Sequence, residues 1–180
     1  MESIFPERYS TEDYLEIKSI MGSLGFSALY QGKPINKEGA MFNIESIKII
    51  DNVPPMVRKV RSYDVASSYG KGDFSVGVLM GIDKDNSYYI LDVWREQLGT
   101  KERDDKILRL AEIDGKDVKI TLPLDPGGSG KSLTFYWTKM LAGFNVEFVR
   151  PTKSKEQRAE PLSVQINNGN LYLARALWNR

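Results

Sequence analysis

The sequence predicts an α/β fold: one mixed sheet, an antiparallel three-strand meander followed by parallel β/α units, flanked by helices. Three observations lead there. Residues 57–96 hold three apolar runs separated by short turn-prone stretches, the pattern of consecutive antiparallel strands. Residues 100–169 then alternate helical periodicity with short strand-like runs, the pattern of helices packed on a sheet. A length of 180 residues and 41% hydrophobic content suffice for one packed core with a small appendage.

The elements follow in order. Residues 3–34 have helical texture. Ser10 stands three residues before Asp13, a capping-box spacing. Leu15, Ile17, Ile20, Met21 and Leu24 recur at near-helical intervals, while Gly22 and Gly25 are expected to loosen the helix end. Residues 57–68 read as a strand closing in a turn of small residues, and 73–83 and 87–96 as two more joined by Lys84-Asp85-Asn86. Over 100–115 a helix is expected, with acids early, Ile107, Leu108, Leu110 and Ala111 as its apolar face, and Gly115 as its stop. A strand over 117–128 runs into a glycine-rich turn. A helix over 129–143 ends at Gly143, and a further strand covers 145–152. The last helix lies around 159–169, with Ser154 and Gln157 spaced to cap it, before a short apolar stretch at 170–178.

Composition narrows the chemistry. The chain has no cysteine and no histidine, which removes thiol chemistry, imidazole acid/base chemistry and most zinc sites. No apolar run approaches the roughly 20 residues of a membrane helix, and no basic flank with an apolar stretch opens the chain. A soluble, cytosolic protein is expected, with no membrane partner. The net charge of +1 gives no global nucleic-acid footprint, so any DNA-binding cations must be gathered locally.

Two acids stand at strand ends. Asp64 closes the first strand of the meander, and Asp125 follows Ile-Thr-Leu-Pro-Leu in front of Pro126-Gly127-Gly128. Each alone reads equally as a turn aspartate. As a pair they are more informative, because neighbouring strands lie about 4.8 Å apart and carboxylates on adjacent strand ends can share a hard divalent ion. Two such ions, about 3.5–4 Å apart, suit phosphodiester hydrolysis. Asp73 opens the second strand and reads first as a turn residue; Asp92 reads as structural, paired with Arg95. Residues 127–132, Gly-Gly-Ser-Gly-Lys-Ser, depart from the phosphate-loop pattern by carrying Asp125 at its first glycine position. Nucleotide binding is therefore not expected, although this turn, with Lys131, could contact a DNA phosphate. Arg150, Lys153, Lys155 and Arg158 form a basic cluster, either a solvated loop or a DNA-backbone contact.

Residues 5–34, 61–68, 72–82, 88–95, 122–132 and 150–179 together resemble, in order and spacing, the nuclease domain of tailed-phage terminase large subunits. The resemblance implies a ribonuclease-H-like fold. It implies a two-metal endonuclease, using Mg²⁺ or Mn²⁺, that cuts concatemeric double-stranded DNA during genome packaging in the bacterial host cytoplasm. It places the first acid on Asp64 and the second on Asp125, with Asp73 as the one sequence-near acid able to substitute for a third. Residues 1–43 resemble the helical linker at the end of the packaging ATPase, leaving 44–180 as the nuclease domain. Partners implied are that ATPase domain, the portal and the small terminase subunit. No Asp or Glu follows Glu160, whereas the family's third acid lies further along. The expectation is thus a C-terminally truncated domain with an incomplete metal site. The alternative is a catalytically impaired DNA-binding or assembly module.

Overall fold

A computed structural model describes residues 10–30, 41–66, 73–124 and 128–179. The elements run α1 (Thr11–Tyr30), a 3-10 turn (Ile44–Ser46), β1 (Lys48–Ile50), β2 (Arg58–Asp64), β3 (Ser75–Ile82), β4 (Tyr88–Glu96), α2 (Thr100–Asp114), β5 (Lys119–Pro123), α3 (Gly128–Met140), β6 (Asn145–Val149), α4 (Lys155–Asn167), β7 (Leu171–Ala174) and a closing 3-10 turn (Leu177–Asn179). The strands form one seven-stranded sheet in the order β1-β7-β4-β3-β2-β5-β6. Strand β2 pairs antiparallel with β3, which pairs antiparallel with β4. On its other side β2 pairs parallel with β5, which pairs parallel with β6. The expected meander and parallel units are both present, and they meet on β2.

Local chemistry explains the boundaries. At the β3–β4 hairpin, Asp83 Oδ1 accepts the N–H groups of Asp85 and Ser87, and Asn86 takes the left-handed conformation (φ 61°) that this residue type tolerates. Gly115 ends α2 with φ 87° and donates its N–H to Ala111, a conformation that favours glycine. Ser154 and Gln157 form a full capping box at the start of α4, so this helix begins before the apolar run that announces it.

By contact density the chain divides into two units: Met1–Lys48 with Lys153–Leu171, and Ile49–Thr152 with Tyr172–Arg180. In the first, α1 packs on α4, and Phe26 is buried between Tyr14 and Tyr30 in edge-on and stacked contacts. The Ser10–Asp13 capping pair is reciprocal, as its spacing predicts. Gly22 and Gly25 do not end α1, which continues to Tyr30.

The second unit holds the main core: Tyr63, Trp94, Ile107, Leu110, Ala111, Ile120, Leu122, Trp137 and Leu141. These residues bring α2 and α3 onto one face of the sheet. Residue alternation assigns the faces, since β2 buries Arg61 and Tyr63 and exposes Ser62 and Asp64. Gly77 lies between Tyr63 and Trp94 in the register. A Cβ there would stand 2.6 Å from Tyr63 Cε1, so glycine lets the two aromatic rings meet edge-on at 6.2 Å.

Candidate active site

The acids of the second unit fall into two groups. Those on the core side are all engaged. Arg61, 2% exposed, lies between Asp114 (4%) and Asp92 (39%), donating to Asp114 through Nη2 at 2.9 Å and to Asp92 through Nη1 at 2.8 Å. Burial alone would lower the Arg61 guanidinium, but hydrogen bonds to Asp114 and Asp92 outweigh it and hold the pKa above its ordinary value. Asp104, buried at the start of α2, accepts from Arg103 Nη2 at 2.8 Å and from the Trp137 indole at 3.3 Å. Asp83 also accepts the Tyr89 hydroxyl at 2.8 Å. The Ser87 N–H is the main cause holding Asp83 below the usual carboxylate range, while burial, with the Asp83 hydrogen bond, pushes the Tyr89 phenol up to about 12.

Asp64 is different. It ends β2 on the exposed face, and among the described residues no ion pair or side-chain hydrogen bond engages it. On that same face the Thr121 hydroxyl donates to Ser62 Oγ at 2.7 Å, linking β2 to β5. The pairing sets Ser62 opposite Thr121, and the same offset brings Asp64 level with Pro123, the last residue of β5. Strand ends that leave Asp64 and lead towards residue 125 therefore emerge side by side.

The backbone just beyond Asp64 is held from both sides. The Ala66 N–H donates to Ser75 Oγ at 3.0 Å, and the Ala66 carbonyl accepts from Arg103 Nη1 at 2.8 Å. Arg103 is itself buried, fixed by Asp104 and lying 5.7 Å from the Trp137 ring centre. A buried charge is tolerable only when its partners are supplied; here Arg103 also anchors the backbone at Ala66, two residues after the acid.

The other predicted residues are placed as follows. Asp125 lies outside the described residues, as does the side chain of Lys131, whose backbone belongs to α3. Asp73 is exposed in the segment leading into β3. Arg150 is exposed after β6, and Lys153, Lys155 and Arg158 are exposed at the start of α4. The expected Asp92–Arg95 pair does not form. Residues three apart on a strand point to opposite faces, so Asp92 meets Arg61 in the core while Arg95 lies over the Phe74 ring, 3.3 Å from its centre. The donor chemistry of Asp64, an exposed carboxylate in a chain without histidine or cysteine, fits a hard divalent ion. No group of three acids placed to hold a metal ion occurs among the described residues. Sequence reasoning missed Arg61 and Arg103. For Arg61 a signal existed, since it shares the parity of Tyr63 on the buried face of β2.

Over residues 61–180 the chain matches the family model described as the terminase RNaseH-like domain. No curated protein sequence matches it. Among solved structures it is similar to the large terminase nuclease from thermophilic phage G20c with bound zinc, at a TM-score of 0.50 and 17% identity over 77% of this chain and 82% of that one. It is also similar to that nuclease with bound cobalt, at a TM-score of 0.50 and 14% identity over 78% of this chain and 77% of that one. Identity this low speaks to the fold, and the fold is the ribonuclease-H-like one expected. No helix among the described residues is long and apolar enough to cross a membrane.

Proposed function

Since the chain belongs to the terminase RNaseH-like domain family, we propose that it is a metal-dependent DNA endonuclease domain of a phage or prophage terminase large subunit, cutting concatemeric DNA during genome packaging. One observation carries the reading: Asp64 ends β2 exposed and unengaged among the described residues, beside the parallel strand that leads to Asp125, while the acids on the core side are all partnered. A carboxylate at a strand end with no internal partner is free to serve a ligand.

In this reading Asp64 and Asp125 hold Mg²⁺ or Mn²⁺, with Asp73, in the segment entering β3, as a further oxygen donor. Two such ions supply an activated water and stabilise the leaving oxygen when bound. The residues of this chain position the acids: the Thr121–Ser62 hydrogen bond aligns the two strands, and Arg103 and Ser75 fix the backbone beyond Asp64. The G20c nuclease has been solved with zinc and with cobalt, which supports a divalent site by kinship. Arg150, Lys153, Lys155, Arg158 and Lys131 serve the duplex backbone. The first four are exposed and none of them is in an ion pair among the described residues. Residues 1–43 are read as the linker from a packaging ATPase domain; portal and small subunit are the further partners, and the bacterial cytoplasm is the setting.

The test is nicking of supercoiled plasmid with Mg²⁺ or Mn²⁺, together with Mn²⁺ binding followed by electron paramagnetic resonance. Asp64→Asn is expected to abolish cleavage and weaken Mn²⁺ binding. Cleavage that survives Asp64→Asn overturns the assignment. Duplex binding without cleavage under either metal would favour a DNA-binding or assembly module. Lys153→Ala with Lys155→Ala is expected to make the salt dependence of binding shallower by about 0.9 per lost contact.

A further inference from the structure

The exposed face of the sheet carries a second ordered group level with Asp64. In the register, Asp64 stands opposite Val76, and Val76 opposite Arg95. Directly paired residues project to the same face, so Asp64, Val76 and Arg95 form one row across β2, β3 and β4. Neighbouring strands lie about 4.8 Å apart, which sets the two charged residues two spacings, roughly 10 Å, from one another at the backbone. Burial agrees with the assignment: Trp94 is buried on the core side with Tyr63 and Gly77, and Arg95 is exposed.

Arg95 is not a loose surface cation. Its guanidinium lies 3.3 Å from the centre of the Phe74 ring, and Phe74 precedes β3, the strand between Arg95 and Asp64. The ring therefore gives the charged head a fixed seat beside the entry to β3. The ring contact engages one side of the guanidinium, and no hydrogen bond takes up its N–H groups among the described residues, the groups that grip phosphate in a bidentate manner. No acid is paired with Arg95 among the described residues, although aspartates abound nearby in sequence. A cation held by an aromatic ring and left without a carboxylate is suited to an incoming anion.

The geometry points to Arg95, seated over Phe74, as a phosphate-contacting residue of the nuclease site, holding the strand to be cut at a phosphate a few nucleotides from the one presented to Asp64. This rests on the nuclease reading above. Phosphates rise about 3.4 Å apart along one strand of a duplex, so a cation roughly 10 Å away addresses a phosphate about three nucleotides along and leaves the scissile phosphate to the acids. Arg95 would fix where the strand lies without reading its bases.

The experiment uses the full chain carrying Asp64→Asn, so that binding is measured without cleavage, and follows random duplex DNA from 50 to 200 mM salt. Adding Arg95→Ala is expected to reduce the slope of log K against log salt by about 0.9. The affinity loss across that salt range then shrinks by about three- to fourfold. Arg95→Lys should restore the slope, because the charge remains, while cleavage in the otherwise unaltered chain stays below normal because the bidentate edge is lost. Phe74→Leu keeps the charge and loosens its seat, and should likewise leave the slope intact and lower the cleavage rate. An unchanged slope and affinity in Arg95→Ala, with the Asp64→Asn parent still binding in a salt-dependent way, overturns the Arg95 assignment and leaves the nuclease reading standing. No salt-dependent binding by the parent itself would remove both.

Discussion

The two faces of the central sheet treat charge differently. On the core face, Arg61 is nearly enclosed and its guanidinium is divided between Asp92 and Asp114. Arg103, Asp104 and the Trp137 indole form a second closed set. On the other face, Lys119 pairs with Glu147 in water, Asp64 has no partner among the described residues, and Arg95 has only an aromatic ring. The strands are the same; the side chains alternate. Charge that the fold must bury is matched internally, because an unmatched buried ion is costly. Charge at the edge of the open face stays in water at little cost, and so can be kept for a ligand. Partnering therefore separates the aspartates that secure the core face from those, such as Asp64, Asp105 and Asp117, that stay in water.

That contrast can be broken, starting with its strongest element. Arg61→Ala would leave Asp114 buried without its cation, and loss of about 3–5 kcal/mol is expected. For a chain of this size that lowers Tm by at least about 6 °C. A Tm within about 2 °C of the parent would mean the Arg61 set does not secure the core face. Gly77→Ala comes next. A methyl group 2.6 Å from Tyr63 Cε1 and 3.2 Å from Trp94 Cε3 forces the rings apart, at about 1–3 kcal/mol, readable as a lower urea midpoint with unchanged slope.

The hairpin acid offers a pH-dependent case. Asp83 is held below its ordinary pKa, chiefly by the Ser87 N–H. Its contribution to stability is therefore present above the unfolded carboxylate value of about 3.9 and lost as pH falls through the lower folded value. Thermal unfolding of Asp83→Asn should show a deficit against the parent at pH 7 that narrows at pH 3; a deficit independent of pH would contradict the ion's role. The smallest stability effect belongs to Asp64→Asn, within about 0.5 kcal/mol of the parent, even though cleavage is expected to disappear. A loss above about 1 kcal/mol would make Asp64 a structural turn residue and erase the contrast between the faces.

Much of the fold was legible in the residues because it rests on short-range relations. Ser10 with Asp13, Ser154 with Gln157, the Lys84–Asn86 turn and the stop at Gly115 each involve positions a few residues apart. The strand–helix order followed from periodicity, and the adjacency of β2 and β5 from the family resemblance. The brief strands β1 and β7 were not legible. Three and four residues carry too little periodicity to announce a strand, and β7 finds its place between β1 and β4 only once the sheet exists. The candidate site divides in the same way. The sequence alone marked Asp64 as an acid closing an apolar strand and identified the family to which the fold answers. Only the tertiary structure showed that Asp92 turns to the core and Arg95 away from it, that Arg61 meets Asp114 across 53 residues of chain, and that Arg103 reaches back 37 residues to the Ala66 carbonyl. Those partnerships depend on strand register and on which helix covers which face. No local pattern encodes them, because the groups become neighbours only when the sheet and its helices have assembled.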